Sequence, residues 1–388
     1  MGNAEVEGRD TTSGNDFGGT RIVHVVRQFA PMVGGLEDVV LNLAKNQTKR
    51  FANVRVITLD RLFVKPDEKL PHHEIIDTIE VVRIPYWGSK RYPVAPEVLQ
   101  HLRDADLVHV HAIDFFFDAL AATRSLHRRP LVATTHGGFF HTDRNAGLKK
   151  VWFNTVTRFS ASRYRGIACC GENDFELFQP LAPDRVRLIE NGVDLTKFAD
   201  AASIKPVKRL VTVGRFSQNK RLERVLDGLA AVRARDEAFE LDIIGSPSDL
   251  SIEDLERAVE SRGLNGAVDI HVGLSNDGVR TAFSGASLFV SASDYEGFGL
   301  VLIEALSAGL IPVVHENAAF RSLAGHHPTV RLTDFSAPEK AADAVLETFA
   351  HLVSDEDLRA RAQQSSRRHG WEKTARDYEE FYAAALEP

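Results

Sequence analysis

A chain of 388 residues, 44% hydrophobic and 26% charged, is long enough for two cores and has the balance of a globular protein, not of a disordered or collagen-like one. Its net charge of −7 argues against nucleic acid as a partner, and the two cysteines, adjacent at Cys169 and Cys170, exclude a disulfide framework or a cysteine-based metal cluster. The lack of a disulfide framework fits a reducing cytoplasm, and no apolar run reaches the length of a bilayer span.

Residues 1–20 are polar and glycine-rich and read as a disordered tail. Residues 21–27 are β-branched, as in a buried first strand. Gly34 and Gly35 follow, ahead of a helix over 38–46. Such a pair between strand and helix lets a backbone approach a ligand, although a tight structural turn explains it equally well. Further strands are predicted at 54–58, 80–84, 106–111, 130–135, 166–170 and 186–189, with a helix over 97–104. Alternation of this kind gives a parallel, doubly wound sheet whose ligands lie beyond the carboxyl ends of the strands. His111 and His136 stand at two such ends. Two glycines follow His136, then Phe139, Phe140 and His141. His136 is therefore the first candidate of this stretch and His141 the second, against the common structural use of a histidine at a strand end.

Between residues 121 and 165, Arg124, Arg128, Arg129, Arg144, Lys149, Lys150, Arg158, Arg163 and Arg165 are opposed only by Asp143, and Trp152, Phe153, Phe159 and Tyr164 interleave with them. A solvated face accounts for such a run. The sharper alternative is a surface whose cations meet anionic headgroups or a lipid diphosphate while the aromatic rings enter the boundary.

Glu190-Asn-Gly-Val-Asp-Leu-Thr-Lys-Phe198 leads into a linker at 196–208, and the pattern then restarts. A strand at 209–213 runs into Gly214-Arg-Phe-Ser-Gln-Asn-Lys-Arg221 and a helix over 222–235. Arg215 and Lys220, beside that helix N-terminus, can hold a diphosphate. Strands at 240–245 and 269–275 follow. Next come an apolar run at 286–290, a turn holding Glu296, Gly297, Phe298 and Gly299, and an aliphatic helix from Leu300 that stops at Gly309. The glycines admit close approach, and the helix start offers unpaired N–H groups. Glu296 and Glu304, eight positions apart, can both accept hydrogen bonds from ligand hydroxyls, although Glu304 also suits the positive end of a helix. A strand at 310–314 accommodates Pro312 at an edge or strand start. The last helix, 371–386, carries Trp371, Tyr378, Phe381 and Tyr382 on one stripe, which core packing explains.

The string from Ser291 to Gly309 resembles the Glu-x7-Glu signature of family 4 glycosyltransferases, retaining enzymes of GT-B fold that use nucleotide sugars. The Asn191-Gly-Val-Asp segment with Phe198, and the spacing of Arg215 and Lys220, are similar to the same family, and the likeness runs from about residue 21 to 386. It implies an α/β chain of two Rossmann-like, doubly wound parallel-sheet domains facing across a cleft. These are an acceptor-binding domain at 21–195 and a nucleotide-sugar domain at 209–368, with a helix at 369–388 crossing back to the first. It also implies roles. Glu296 would meet the donor sugar, Glu304 the nucleotide ribose, Arg215 and Lys220 the phosphates, and Gly273 and Leu274 the nucleobase. Gly34 and Gly35 would lie near the donor phosphates and the acceptor, and His136 would reach the donor sugar across the cleft. Gly297, Phe298, Gly299 and Leu300 complete the donor site, with His111 and His141 on the acceptor side. Arg221 departs from the pattern, which has glycine there, and this puts the path of the loop in question. His136-Gly-Gly-Phe-Phe-His-Thr142 is similar to the mannosyltransferases that extend lipid-linked cellobiose in xanthan- and acetan-type polysaccharide assembly. That likeness favours GDP-mannose as donor and a lipid-linked or polysaccharide acceptor.

Retention by double displacement needs a carboxylate on the far face of the anomeric carbon. The family glutamate that Glu296 matches meets hydroxyls away from that carbon. Front-face substitution is therefore expected, in which the departing diphosphate accepts the proton of the acceptor hydroxyl while Arg215, Lys220 and the helix N-terminus stabilise it. No metal or other cofactor is expected. Asp104-Ala-Asp106 is incidental, at a helix-to-strand junction. The rival readings are a UDP-sugar donor on the same scaffold, a sugar phosphorylase or epimerase, and a non-catalytic nucleotide-sugar sensor. The expected location is cytoplasmic or peripheral on the inner face of the cytoplasmic membrane.

Overall fold

The computed structural model describes residues 17–32, 34–90, 92–137 and 151–387. Two sheets organise the molecule. The first has the order Val186–Leu188, Gly166–Cys169, Leu131–Thr134, Leu107–His111, Arg21–Val25, Asn53–Leu59, Ile79–Ile84, His73–Ile76, and is parallel except for its last pair. The second, parallel throughout, has the order Val268–Val272, Glu240–Gly245, Arg209–Val213, Leu288–Ser291, Ile311–His315, Arg331–Thr333. In each sheet the chain begins at the middle, builds to one side, then crosses over and builds to the other. Strand order therefore reverses once per sheet, beside Arg21–Val25 in the first and beside Arg209–Val213 in the second. Loops diverge at such a point and leave a crevice for a ligand.

Helices cover both faces of these sheets, so their central strands read as unbroken apolar runs. Leu107–His111 and Leu131–Thr134 are buried at every position. Every strand read from the sequence is present close to its expected bounds. Pro312 is at a strand start: pairing with Arg331–Thr333 begins only at Val313, so its missing N–H removes no ladder bond on that side. The helix expected over 97–104 is instead a 3-10 helix, Pro96–Leu102, a short connector pinned by buried Val98 and Leu102. Strands at Lys65–Lys69 and His73–Ile76 carry no sequence signal, because the first is exposed at all five positions and the second has no clean apolar alternation.

The tail expected over 1–20 does not hold for its last residues. Residues 1–16 lie outside the described residues, but Phe17 is buried and stacks on Phe51 with ring centroids 4.6 Å apart. The chain passes between the domains twice, and the two crossings lie side by side. Val193 pairs with Gly370 in a parallel bridge, its N–H donating to the His369 carbonyl at 2.8 Å. A Cβ on Gly192 would lie 2.6 Å from the Trp371 ring, so only glycine fits under that indole. Beyond Gly370, helix Trp371–Leu386 packs on the first domain, where Trp371, Tyr378, Phe381 and Tyr382 join a core with Ile22, Val40 and Leu107. Among the described residues no helix is long and apolar enough to cross a membrane. Both cysteines are free and buried.

Candidate functional site

Because Arg209–Val213 and Leu288–Ser291 are neighbours, the loops that leave their carboxyl ends meet. Asp294 N–H donates to the Asn219 carbonyl at 3.0 Å, and Asn219 Nδ2 donates to the Tyr295 carbonyl at 2.9 Å. Lys220 Nζ then reaches Glu296 Oε1 at 2.7 Å. Arg221, where the family resemblance has glycine, occupies the left-handed region at φ 47°. Ion pairs with Asp294 and Glu223 hold it there, so the loop keeps a glycine-like path without the glycine. Arg215 is exposed, and its charge bears on Glu37 of the first domain. The 273–274 loop runs alongside, with Gly273 N–H donating to the Gly245 carbonyl at 3.0 Å. Gly273 is left-handed, with open space where a side chain would stand.

Helix Leu300–Ala308 starts at Gly299, whose φ of 99° requires glycine. Phe298 is buried against His369, ring centroids 5.5 Å apart. Glu304, inside the helix, accepts from Lys197 Nζ at 2.9 Å. Burial pushes the Glu304 carboxyl up, against the pull of Lys197. Burial alone would lower Lys197, but Glu304 and Asp38 outweigh it and hold the ammonium above its ordinary value. Lys197 was not among the candidates. It lies in the 190–198 string, but nothing in its spacing connects it to Glu304.

The first domain contributes the opposite wall. A Cβ on Gly35 would lie 3.3 Å from Leu300 Cδ1, so the Gly34-Gly35 turn abuts the start of the helix across the cleft. His136 and Gly137 are both left-handed, at φ 56° and 75°. Asp174 holds that turn, accepting from Gly137 N–H at 2.7 Å and from the Thr135 hydroxyl. Burial raises the Asp174 carboxyl, and those two bonds oppose the rise. A Cβ on Gly137 would stand 2.9 Å from Gly297 Cα, and one on Gly171 would stand 2.7 Å from the Gly297 carbonyl oxygen. His136 is thereby set beside the Glu296-Gly297 turn. Its Nε2 lies 2.9 Å from His111 Nδ1, and burial lowers its pKa to about 3, leaving a neutral imidazole.

Two expectations are corrected. His111 is not on the acceptor side, being fully buried and bonded at both ring nitrogens. Of the interleaved aromatics, Phe153 and Tyr164 are core residues, Tyr164 stacking on Phe117 at 4.4 Å, whereas Trp152 and Phe159 are exposed. His141, with residues 138–150 and their cations Arg144, Lys149 and Lys150, lies outside the described residues. The assembled cleft thus holds cations and a helix N-terminus suited to a diphosphate, two carboxylates suited to hydroxyls, and a neutral histidine facing them.

Two family models divide the chain: Glycosyltransferase Family 4 matches residues 33–197 and Glycosyl transferases group 1 matches residues 195–369. The GDP-mannose:cellobiosyl-diphosphopolyprenol alpha-mannosyltransferase of Xanthomonas oryzae pv. oryzae is 41% identical, over 94% of this chain and 97% of that protein. The protein of the same description from Komagataeibacter xylinus is 40% identical, over 94% of this chain and 93% of that one. Among solved structures, sucrose-phosphate synthase from Thermosynechococcus elongatus superposes with a TM-score of 0.76 at 17% identity, covering 94% of this chain and 98% of that one. That likeness is one of fold.

Proposed function

Because this chain belongs to glycosyltransferase family 4 and has its GT-B fold, we propose that it transfers mannose from GDP-mannose to a cellobiosyl diphosphopolyprenol, with retention of configuration. The observation that carries this reading is the 41% identity to enzymes of that description over 94% of the chain. The cleft supports it, since Lys220 meets Glu296 at the mouth of one Rossmann-like domain while His136 stands opposite on the other.

In the reaction, the bond from the anomeric carbon to the diphosphate oxygen breaks as the acceptor hydroxyl oxygen bonds the same face, and the hydroxyl proton passes to the departing diphosphate. Arg215, Lys220 and the N–H groups at the start of helix Leu300–Ala308 stabilise the charge that develops on that leaving group. Glu296 orients the sugar through its hydroxyls, Glu304 the ribose, and His136 the sugar from across the cleft. Contact between the two domains keeps water from competing with the acceptor. No step is assigned to a metal ion.

A lipid-linked acceptor calls for attachment at a membrane surface. Trp87 is 59% exposed, Val151 60% and Phe159 49%, and Trp152 lies near Tyr92 with ring centroids 6.5 Å apart. Arg163 sits over the Phe159 ring at 5.0 Å. Exposed apolar side chains among cations suit an anionic bilayer on the inner face of the cytoplasmic membrane.

The test is transfer of labelled mannose to cellobiosyl diphosphopolyprenol, with a thermal-shift series of GDP, UDP, ADP and their sugar conjugates beside it. Transfer with preferential stabilisation by GDP and GDP-mannose supports the reading. A UDP-sugar that both stabilises and is consumed overturns the donor, and donor binding with no glycosidic product on any lipid-linked acceptor points to a sensor or phosphorylase. Sedimentation with anionic vesicles at low salt tests the membrane surface.

A further inference from the structure

Beneath His136 lies a continuous chain of buried hydrogen bonds. His136 Nε2 is 2.9 Å from His111 Nδ1, His111 Nε2 is 2.9 Å from His24 Nδ1, and His24 Nε2 is 2.6 Å from Gln47 Oε1. From the other end of the same amide, Gln47 Nε2 donates to the Tyr382 hydroxyl at 2.9 Å. Tyr382 lies 2.8 Å from His109 Nδ1, and His109 Nε2 lies 2.8 Å from the Thr134 hydroxyl, itself 2.9 Å from that of Tyr378. His24, His109 and His111 occupy two adjacent strands and are completely buried.

The direction of this chain follows the turn of the Gln47 amide, which faces His24 with Oε1 and Tyr382 with Nε2. Gln47 Oε1 has no proton, so His24 Nε2 must donate to it. Burial holds all four histidines well below their ordinary pKa, so each ring is neutral and carries one N–H. His24 Nδ1 is then bare and accepts from His111 Nε2–H. His111 Nδ1 is bare in turn and accepts from His136 Nε2–H. The one nitrogen of His136 outside the chain, Nδ1, is therefore a bare acceptor. Turning the Gln47 amide over would reverse every bond and place a proton on that nitrogen.

We propose that Gln47, His24 and His111 are positioning residues that fix the tautomer of His136, so that it meets a sugar hydroxyl as an acceptor and never as a donor. The proposal rests on the placing of His136 in the transfer site. A neutral ring has two tautomers of similar energy, and only an external partner selects one. In this orientation Tyr382, on helix Trp371–Leu386, accepts from the Gln47 N–H and gives its own proton to His109 Nδ1.

His24, His109 and His111 also bring ligand atoms within 4.8 Å of one another, close enough for a metal ion. All their ring nitrogens are already engaged, with each other, Gln47, His136, Tyr382 or Thr134. A metal would have to break several of those bonds, and the hydrogen-bonded chain uses the same nitrogens without loss.

The experiment is long-range nitrogen NMR of the histidine rings at pH 7.5, in the wild type, Gln47→Met and Tyr382→Phe, beside steady-state transfer kinetics. In the wild type, Nε2 of His24, His111 and His136 should be pyrrole-type and Nδ1 pyridine-type. Both variants should average the two nitrogens of His136 and lower kcat about 10-fold, the worth of one mis-set hydrogen bond, with KM for GDP-mannose unchanged. Tyr382→Phe loses only a hydroxyl and keeps the comparison available if Gln47→Met does not fold. A variant that loses stability but keeps the wild-type His136 signals and kcat overturns the proposal. So does a protonated Nδ1 in the wild type, or uptake of one equivalent of cobalt(II) with a tetrahedral spectrum. If mannose is not transferred at all, the functional reading falls while the ring signals still decide this one.

Discussion

Gly137 of the first domain and Gly297 of the second touch backbone to backbone: a single methyl group added to Gly137 would sit 2.9 Å from Gly297 Cα. This contact registers His136 against Glu296. Gly171 makes the same kind of approach, 2.7 Å from its absent Cβ to the Gly297 carbonyl oxygen, but with an extended backbone at φ −154° that any residue adopts. Gly171→Ala therefore perturbs the domain contact without straining its own backbone. It should lower kcat/KM about 100-fold, the effect of misplacing reacting groups by about 1 Å. GDP affinity, which depends on the second domain, should be unchanged in calorimetry.

The two glutamates of the second domain should separate chemistry from binding. Glu296 pairs with Lys220 at the cleft mouth and Glu304, inside the helix, with Lys197; both pairs are half-buried. Glu296→Ala should reduce kcat by about 100- to 1,000-fold, the scale of losing one charge-orienting group in a site, and leave the Kd for GDP as it was. Glu304→Ala should weaken GDP by about 10- to 100-fold, since it removes a charged acceptor and leaves Lys197 half-buried without its main partner. Equal, mild effects from both substitutions would overturn the assignment of roles.

The sheets were legible because parallel strands buried on both faces leave unbroken apolar runs, and the loops at Arg215, Lys220 and Glu296 were legible because each follows such a run directly. Tertiary partners were not. Lys197 reaches Glu304 across 107 positions and Asp174 reaches Thr135 across 39, distances at which no local spacing repeats. One further signal does lie in the sequence. His24, His109 and His111 are polar residues inside strands otherwise apolar, and a polar group in such a strand must find a partner. The place of His111 at a strand end suggests the cleft, whereas its ring lies below it, bonded at both nitrogens.

Stability should depend on pH through those neutral rings. Burial lowers the pKa of His24 to about 4 and of His136 to about 3. A similar pair joins His327 of the second domain, at about 4, to His369 at the crossing, at about 3, bonded at 2.9 Å. The unfolded chain protonates such rings near pH 6.5, while the folded chain resists until about 4 or below. Acid thus favours the unfolded state through that window, and the stabilisation is complete only above it. Each uncoupled ring contributes a slope of up to about 1.4 kcal/mol per pH unit. Urea unfolding should therefore be flat from pH 7.5 to 8 and fall steeply from pH 6.5 to 5. His24→Leu should be less stable than the wild type at pH 7.5 yet lose less on acidification.

The crossing helix should be required for the first domain, although it follows the second in sequence. A Cβ on Gly166 would stand 2.8 Å from Phe381 Cζ, so the ring comes against the strand backbone where only glycine admits it. Phe381 is 2% exposed and shares its core with Ile22 and Val132. Truncating such a ring to Ala costs about 3–5 kcal/mol, from lost transfer energy and the cavity left behind. Gly166→Val should be similarly severe, because the added side chain forces Phe381 and its helix away. Hydrogen exchange can tell where the damage falls. In Phe381→Ala, protection should drop first in strands Arg21–Val25 and Gly166–Cys169, while Arg209–Val213 and Ile311–His315 stay protected. Loss spread evenly over both sheets would mean that the helix serves the whole molecule and not the first domain.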